Sequence, residues 1–342
     1  MIEKSMFNND DEIRTWVNEK YELVVQSINV QEIGSANCFI LQCINGNYFM
    51  KEFQSKIKSD NLSTEIEICK FIENKGIPTS IFLKDKMGSY ISKYKEKCIT
   101  IQKYIDGSTY AMNTLPDCLL FSSARYLGKI NRYMNELNKL NESFDDEWLN
   151  GWSNEKEIEK IQKLLDDCDQ NIDEKIMRKI YEDFNFKISK LREMKGYAKR
   201  FIGSYRCNSH GDYSLLQLLC KNSEIIAIVD FASVCCIPPT WEIIRSYTYG
   251  ASECKGGDKI NFEKFKIYLD EYLSENPIPK KDIILMPSLY FFNLVRSTFG
   301  YKQLLQGKTN SILEFAFWRT NMCRWLYNHI EEFEKFLKEN YL

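Results

Sequence analysis

Ser209-His210-Gly211-Asp212-Tyr213-Ser214-Leu215-Leu216-Gln217-Leu218-Leu219, followed by Ile225-Ile226-Ala227-Ile228-Val229-Asp230-Phe231, is the stretch from which the rest of the chain is read. It presents a carboxylate, Asp212, in a glycine-containing loop and an amide side chain, Gln217, five positions on. Asn222-Ser223 stands between two apolar runs and reads as a tight turn, so Gln217–Cys220 and Glu224–Val229 read as the arms of a hairpin. Gln217 and Asp230 then share the hairpin's open end. Together they offer two oxygen ligands suited to a hard divalent cation, beside a carboxylate able to orient or deprotonate a hydroxyl.

The protein-kinase catalytic loop has the same form: H-x-D, an amide five residues after the Asp, then a metal-binding Asp that opens a D-F tripeptide. His210-Gly211-Asp212 and Asp230-Phe231 resemble the signature of the aminoglycoside phosphotransferase and choline kinase family, small-molecule kinases with a protein-kinase-like fold. That family writes H-G-D-x-x-x-x-N. Here Gln217 stands where Asn is usual, keeping the amide oxygen and adding one methylene and one rotor. Ala232 replaces the Gly of D-F-G, and no A-P-E segment follows Asp230, which points away from a protein substrate and toward a small hydroxyl acceptor. The resemblance implies an α+β, bilobal, protein-kinase-like fold. Its antiparallel-sheet amino-terminal lobe would bind nucleotide over residues 1–105, and its mainly helical carboxy-terminal lobe would carry catalysis and substrate over 106–342.

The amino-terminal third fits that outline. Ile13, Trp16 and Val17 have helical spacing; Gln26–Ile33 and Cys38–Ile44 read as strands; Asn45-Gly46 reads as a hairpin turn; and Asn47–Phe53 returns carrying Lys51. A short Gly/Ser/Asn loop between two strands offers backbone N–H groups to phosphate oxygens, with Lys51 to neutralise their charge. Gly34, Ser35 and Asn37 match the family's sparse loop. Residues 61–75 read as a helix stopped by Gly76-Ile77-Pro78, with Glu65 on the face shared by Ile68, Cys69 and Ile72. From residues alone Glu65 is a solvated helix charge; the resemblance, which sets a Glu eleven residues before this turn, makes it the partner of Lys51. Strands are expected at Ile81–Leu83, Ser89–Lys93 and Cys98–Tyr104. By resemblance Gln102, Lys103 and Ile105 form the adenine-binding hinge.

Beyond the hinge, Leu120, Ala124, Leu127, Ile130, Met134 and Leu137 step by three or four, predicting a helix over 116–139 that begins at Pro116 and supports the catalytic loop. Segment 141–185 is helical and acidic, with 14 Asp/Glu against 6 Lys/Arg. That pattern reads first as a solvated face and second as a cleft wall for a cationic substrate. Trp148 and Trp152 within it read as core packing or as an aromatic surface for a cation. Pro238-Pro239-Thr240-Trp241-Glu242 reads as a turn capped by Thr240 and opening a helix; Glu242 stands where the family has Asp. Glu242, Arg245 and Trp148 are the candidates for substrate contact. Three further helices are expected over 260–274, 281–304 and 310–340.

Composition narrows the function classes. Lys+Arg 46 against Asp+Glu 48 gives a net charge of -2, so no global field draws the chain to nucleic acid or an anionic membrane. No run of apolar residues has the length of a membrane span or signal peptide. The 12 cysteines are scattered without C-x-x-C, which fits reduced thiols in a cytoplasmic protein. Of the two histidines, His210 and His329, His210 has no other His near it in sequence and the cysteines show no metal-ligand spacing, which points away from a zinc site or a Ser–His hydrolase. Gly307-Lys308-Thr309 imitates the tail of a P-loop, but Lys302 occupies the position of its first Gly.

The combined reading is an ATP- and Mg²⁺-dependent kinase that phosphorylates a small-molecule hydroxyl on an aminoglycoside, amino sugar or amino alcohol. Asp212 is the catalytic residue; Gln217 and Asp230 hold the metal; Lys51, fixed by Glu65, contacts the phosphates. The competing class is a kinase-like nucleotide-binding or structural protein, such as a spore-coat component, in which Gln217 has cost the chemistry.

Overall fold

In the computed structural model, which describes residues 3–31, 36–57, 59–168, 172–307 and 312–342, the chain divides into two units. The first comprises Met1–Thr109 together with Gln217–Val234, and the second Tyr110–Leu216 together with Cys235–Leu342.

The first unit opens with α1 (Asp10–Tyr21), where the Asn9 side chain accepts the Glu12 N–H at 3.0 Å and satisfies one of the helix's open donors. Strands β1 (Val25–Gln31), β2 (Asn37–Cys43), β3 (Gly46–Glu52), β4 (Ser92–Tyr94) and β5 (Lys97–Lys103) build one antiparallel sheet in the order β1-β2-β3-β5-β4. Ile13, Trp16 and Val17 of α1 join Leu41, Met50 and Ile101 of the sheet in one core. The β2–β3 turn falls on Ile44-Asn45, one residue before the expected Asn45-Gly46. Gly46 already pairs with Cys43, and its φ of 130° suits a residue without a Cβ at the strand's entry. Extended structure at Ile81–Leu83 reduces to a bridge between Phe82 and Gln102, and β4 begins at Ser92 instead of Ser89.

Helix α2 (Ser59–Asn74) ends, as Gly76 foretold, before a residue at φ 80°. β7 (Leu218–Lys221) and β8 (Glu224–Ile228) form the expected hairpin. Asn222 and Ser223 have φ of 51° and 61°, the left-handed pair that a two-residue turn matched to strand twist requires. Bridges Thr79–Ile228 and Ser108–Cys220 tie this hairpin to the rest of the unit.

In the second unit, α3 (Asp117–Met134) buries Leu120, Ala124, Leu127, Ile130 and Met134, the predicted stripe, and stops before Leu137. The acidic segment becomes α4 (Asp146–Asn150), α5 (Asn154–Asp166) and α6 (Glu174–Glu193). β6 (Cys207–Ser209) pairs antiparallel with β9 (Cys235–Ile237) and leads into the His210–Asp212 loop. α7 (Pro239–Gly250) starts on Pro238 and Pro239 without a side-chain cap, so Thr240 is a buried first-turn residue and not the cap. α8 (Phe262–Leu273) follows. The expected helix over 281–304 is three helices, α9 (Lys280–Ile284), α10 (Met286–Arg296) and α11 (Tyr301–Leu305), before α12 (Leu313–Tyr341). Pro287 lacks the N–H that would continue α9, and Gly300 turns the chain at φ 89°.

Helices α3 and α8 meet at Gly128, where an added Cβ would lie 2.7 Å from the Tyr272 carbonyl oxygen and 2.9 Å from the Glu275 Cβ. Gly128→Ala gains about 1 kcal/mol of helix propensity but forces α8 outward at about 1–3 kcal/mol. The expected result is a lower urea midpoint with an unchanged m-value.

The twelve cysteines are present as thiols, not as disulfides. Among the described residues no helix is long and apolar enough to cross a membrane.

Candidate active site

Lys51 lies in the middle of the sheet, on β3 between Cys38 of β2 and Thr100 of β5. Its side chain is 19% exposed, and Nζ stands 3.6 Å from Asp230 Oδ1. Asp230 follows β8 with φ 69° and ψ 56°, a left-handed conformation that Asp tolerates better than most residues. Its carboxylate is half exposed, at 49%. The helical turn Phe231–Ser233 after it packs on α2, and Phe231 is fully buried.

Helix α2 presents Glu65, buried to 3% exposure. Burial pushes the Lys51 ammonium down, but the carboxylates of Glu65 and Asp230 outweigh it and hold the group above the ordinary lysine range. Burial pushes Glu65 up, against the pull of Lys51. Among the described residues the ion pair of Lys51 is to Asp230; Glu65 acts on it by charge without approaching within 4 Å. Gln217 enters the same corner: its carbonyl accepts the Val229 N–H at 3.0 Å, fixing it beside the residue that precedes Asp230.

Gly34 and Ser35 lie outside the described residues. Asn37 turns its amide inward, donating to Glu52 Oε2 at 2.8 Å and to the Glu3 carbonyl at 3.1 Å. In the expected hinge, Gln102 and Lys103 pair with Phe49 and Tyr48. The Lys103 N–H is taken by the Ile81 carbonyl at 2.9 Å, so a main-chain contact from this residue would come from its carbonyl, while the Ile105 carbonyl accepts the Gly107 N–H.

In the second unit, Gly211 at φ 80° bends the loop that carries Asp212. Asp212 is 44% exposed on its side chain, and its Oδ1 accepts a hydrogen bond from Arg245 Nη2. Arg245 also donates to the Tyr213 carbonyl at 3.2 Å and lies against the Trp241 and Tyr249 rings at 5.3 and 4.7 Å. Burial pushes this guanidinium down, and the charges of Tyr249, Asp212 and Glu242 more than restore it. Glu242 is fully buried; it accepts the Tyr213 N–H at 2.9 Å and the Ser209 hydroxyl. Glu242 and Arg245, three apart on α7, therefore both spend their polar atoms on the Asp212 loop. Their spacing is the signal that places them on one helix face, although it does not say what that face meets.

Trp148 packs with Phe144, Trp152 and Phe292 around the chain's own guanidinium of Arg296, which lies 4.9 Å from the Trp148 ring. The cation place in this aromatic cluster is already filled. Trp148 and Trp152 also line a cavity of 540 Å³ together with Asp145, Glu147, Lys156 and Glu157.

The sequence matches the profile of the phosphotransferase enzyme family over residues 33–257, more than half of the chain. The chain belongs to this family. This member of the phosphotransferase family has no match among curated proteins. Its fold is similar to that of spectinomycin phosphotransferase in complex with ADP and spectinomycin, at 13% identity and TM-score 0.67, covering 94% of this chain and 98% of that one. It is also similar to an amicoumacin kinase in complex with AMP-PNP and Ca²⁺, at 14% identity and TM-score 0.60, covering 95% and 93%. Plasmodium vivax ethanolamine kinase follows at 15% identity and TM-score 0.58, covering 95% and 91%. At these identities the likeness speaks for the fold: the antiparallel sheet of the amino-terminal part and the helices of the carboxy-terminal part are those of a kinase-like phosphotransferase, as the H-G-D and D-F motifs led one to expect.

Proposed function

We propose that the protein transfers the γ-phosphate of ATP to a hydroxyl group of a small molecule, in the cytoplasm and with Mg²⁺. The observation that carries this reading is the Lys51–Asp230 pair, 3.6 Å apart, with the buried Glu65 charge behind it, in a chain of the phosphotransferase family. Lys51 would neutralise the α/β-phosphates, and the main chain of Lys103 and Ile105 would meet the adenine. Asp212 would orient the acceptor hydroxyl and take its proton.

Asp230 and Gln217 supply a carboxylate and an amide, hard oxygen donors of the kind Mg²⁺ takes. Among the described residues no group of three or more His, Cys, Asp or Glu could cage a metal, so the protein's donors suit an ion that fills its shell with phosphate oxygens and water. Bound there, Mg²⁺ would offset phosphate charge as it builds up during transfer. The excess of Asp and Glu over 141–185 and the acidic residues lining the cavity beside Trp148 favour an acceptor bearing amines.

Two measurements test the reading: calorimetric titration with AMP-PNP in the presence and absence of Mg²⁺, then ADP release with spectinomycin, ethanolamine, amino sugars and neutral sugars as acceptors. Metal-dependent nucleotide binding with acceptor-dependent ADP release is expected. Tight nucleotide binding with no turnover on any acceptor would favour the alternative, a binding protein in which the longer Gln217 side chain no longer seats the metal.

Arg245 orients Asp212 from a site already committed to the loop. Arg245→Gln is therefore expected to fold normally and lose about 10–100-fold in turnover, with the affinity for AMP-PNP retained. Equal losses in affinity and turnover would show that it does something else.

A further inference from the structure

Behind the Asp212 loop, side-chain hydrogen bonds run in one direction through the interior of the second unit. Asn276 Nδ2 donates to Tyr272 OH at 2.7 Å, and Tyr272 OH donates to Asn131 Oδ1 at 2.8 Å. Asn131 Nδ2 donates to Ser209 Oγ at 2.6 Å, and Ser209 Oγ donates to Glu242 Oε2. The other oxygen of Glu242 accepts the Tyr213 N–H, one residue after Asp212. Tyr272, Asn131, Ser209 and Glu242 have no exposed surface. Gly128, one turn before Asn131 on α3, permits the close approach of α8 that brings Tyr272 within reach.

A buried carboxylate is stable only when its oxygens are met by donors. Donors aligned head to tail polarise one another, so the last hydroxyl binds more firmly than an isolated serine would. Removing that hydroxyl leaves one oxygen of Glu242 short of a partner, and the carboxylate can then shift or rotate. Tyr213 N–H, and with it the loop, is tied to the same carboxylate.

We propose that Ser209 and Asn131 are positioning residues for phosphoryl transfer: they fix Glu242, which fixes the backbone beside Asp212. This rests on the reading of Asp212 as the acceptor-side base. Neither residue belongs to the H-G-D or D-F motif, and neither touches the reacting groups.

The test uses Ser209→Ala in the full chain. ADP release from Mg·ATP with water as acceptor is measured alongside calorimetric AMP-PNP affinity and hydrogen exchange of amides 210–216. Expected are a loss in kcat of about 10–100-fold, an unchanged Kd for AMP-PNP, and faster exchange at 210–213. A protein that only lost stability would keep its kcat in the folded fraction, so parental kcat and parental exchange overturn the proposal. Tyr272→Phe keeps the ring and cuts the chain two links farther out; a smaller loss in the same direction, about threefold, is expected. Should Ser209→Ala not fold, Tyr272→Phe decides, and parental exchange in it overturns the proposal. Asp212→Asn, run in parallel, separates the two levels. If it retains parental turnover, the base assignment falls and this inference with it; if it is inactive while Ser209→Ala is fully active, only the positioning role falls.

Discussion

Asp212→Asn is expected to lower turnover by about two to four orders of magnitude while leaving AMP-PNP affinity within a few-fold of the parent. The substitution is isosteric, and its Oδ1 still accepts from Arg245, so the loop keeps its anchor. What is lost is the negative charge that, on the proposed function, would draw the acceptor hydroxyl and receive its proton. Nucleotide affinity is spared because the groups assigned to it, Lys51, Glu65, Asp230 and Gln217, belong to the other unit. Steady-state ADP release with the best acceptor, set against calorimetry, separates the two effects. Parental turnover in this variant would remove Asp212 from the mechanism.

Asp230→Asn carries the second large effect, about 10²–10³-fold or more in turnover together with loss of metal-dependent nucleotide binding. Asn is chosen because, like Asp, it tolerates the left-handed backbone at φ 69°; Ala would add about 1 kcal/mol of strain and blur the result. A second consequence falls on Lys51. Burial, which pushes that ammonium down, is offset by Glu65 and Asp230 together, so the group stays protonated well into the alkaline range. With Asp230 neutral, one of the two offsets is gone and the lysine's pKa must fall. Residual nucleotide affinity in Asp230→Asn should therefore weaken as pH rises, through a range in which the parent's is flat. Titrations with AMP-PNP at several pH values from neutral upward check this; parallel profiles would mean that Asp230 does not hold up the charge of Lys51.

The parts of the fold legible in the sequence are those written locally. The stripe on α3 and the turn at Asn222-Ser223 each depend on residues a few positions apart, and both are found where the spacing put them, save that α3 ends before Leu137. The helix over 281–304 misled because its apolar spacing continues through breaks that Pro287 and Gly300 impose, so periodicity outran hydrogen bonding. At the candidate site, the order of motifs singled out Asp212 and Asp230 as candidates, but not what surrounds them. That Arg245 turns to Asp212, that Arg296 fills the aromatic cluster around Trp148, and that Asn131 reaches Ser209 are contacts across 33 to 148 residues. No local pattern carries such information. Ser209 stood within the quoted stretch, but a serine before H-G-D has no distinguishing mark until its partners are known.

The hairpin of β7 and β8 gives the order of synthesis a physical meaning. A ribosome that has finished Thr109 has made Lys51 and Glu65 but not Asp230, and 107 residues (110–216) must pass before the missing strands emerge. At ordinary translation speeds that delay is roughly 5–20 s. Throughout it, the nascent sheet carries Lys51 with only one of its two compensating carboxylates, so charge balance at this corner waits until about two thirds of the chain has been made.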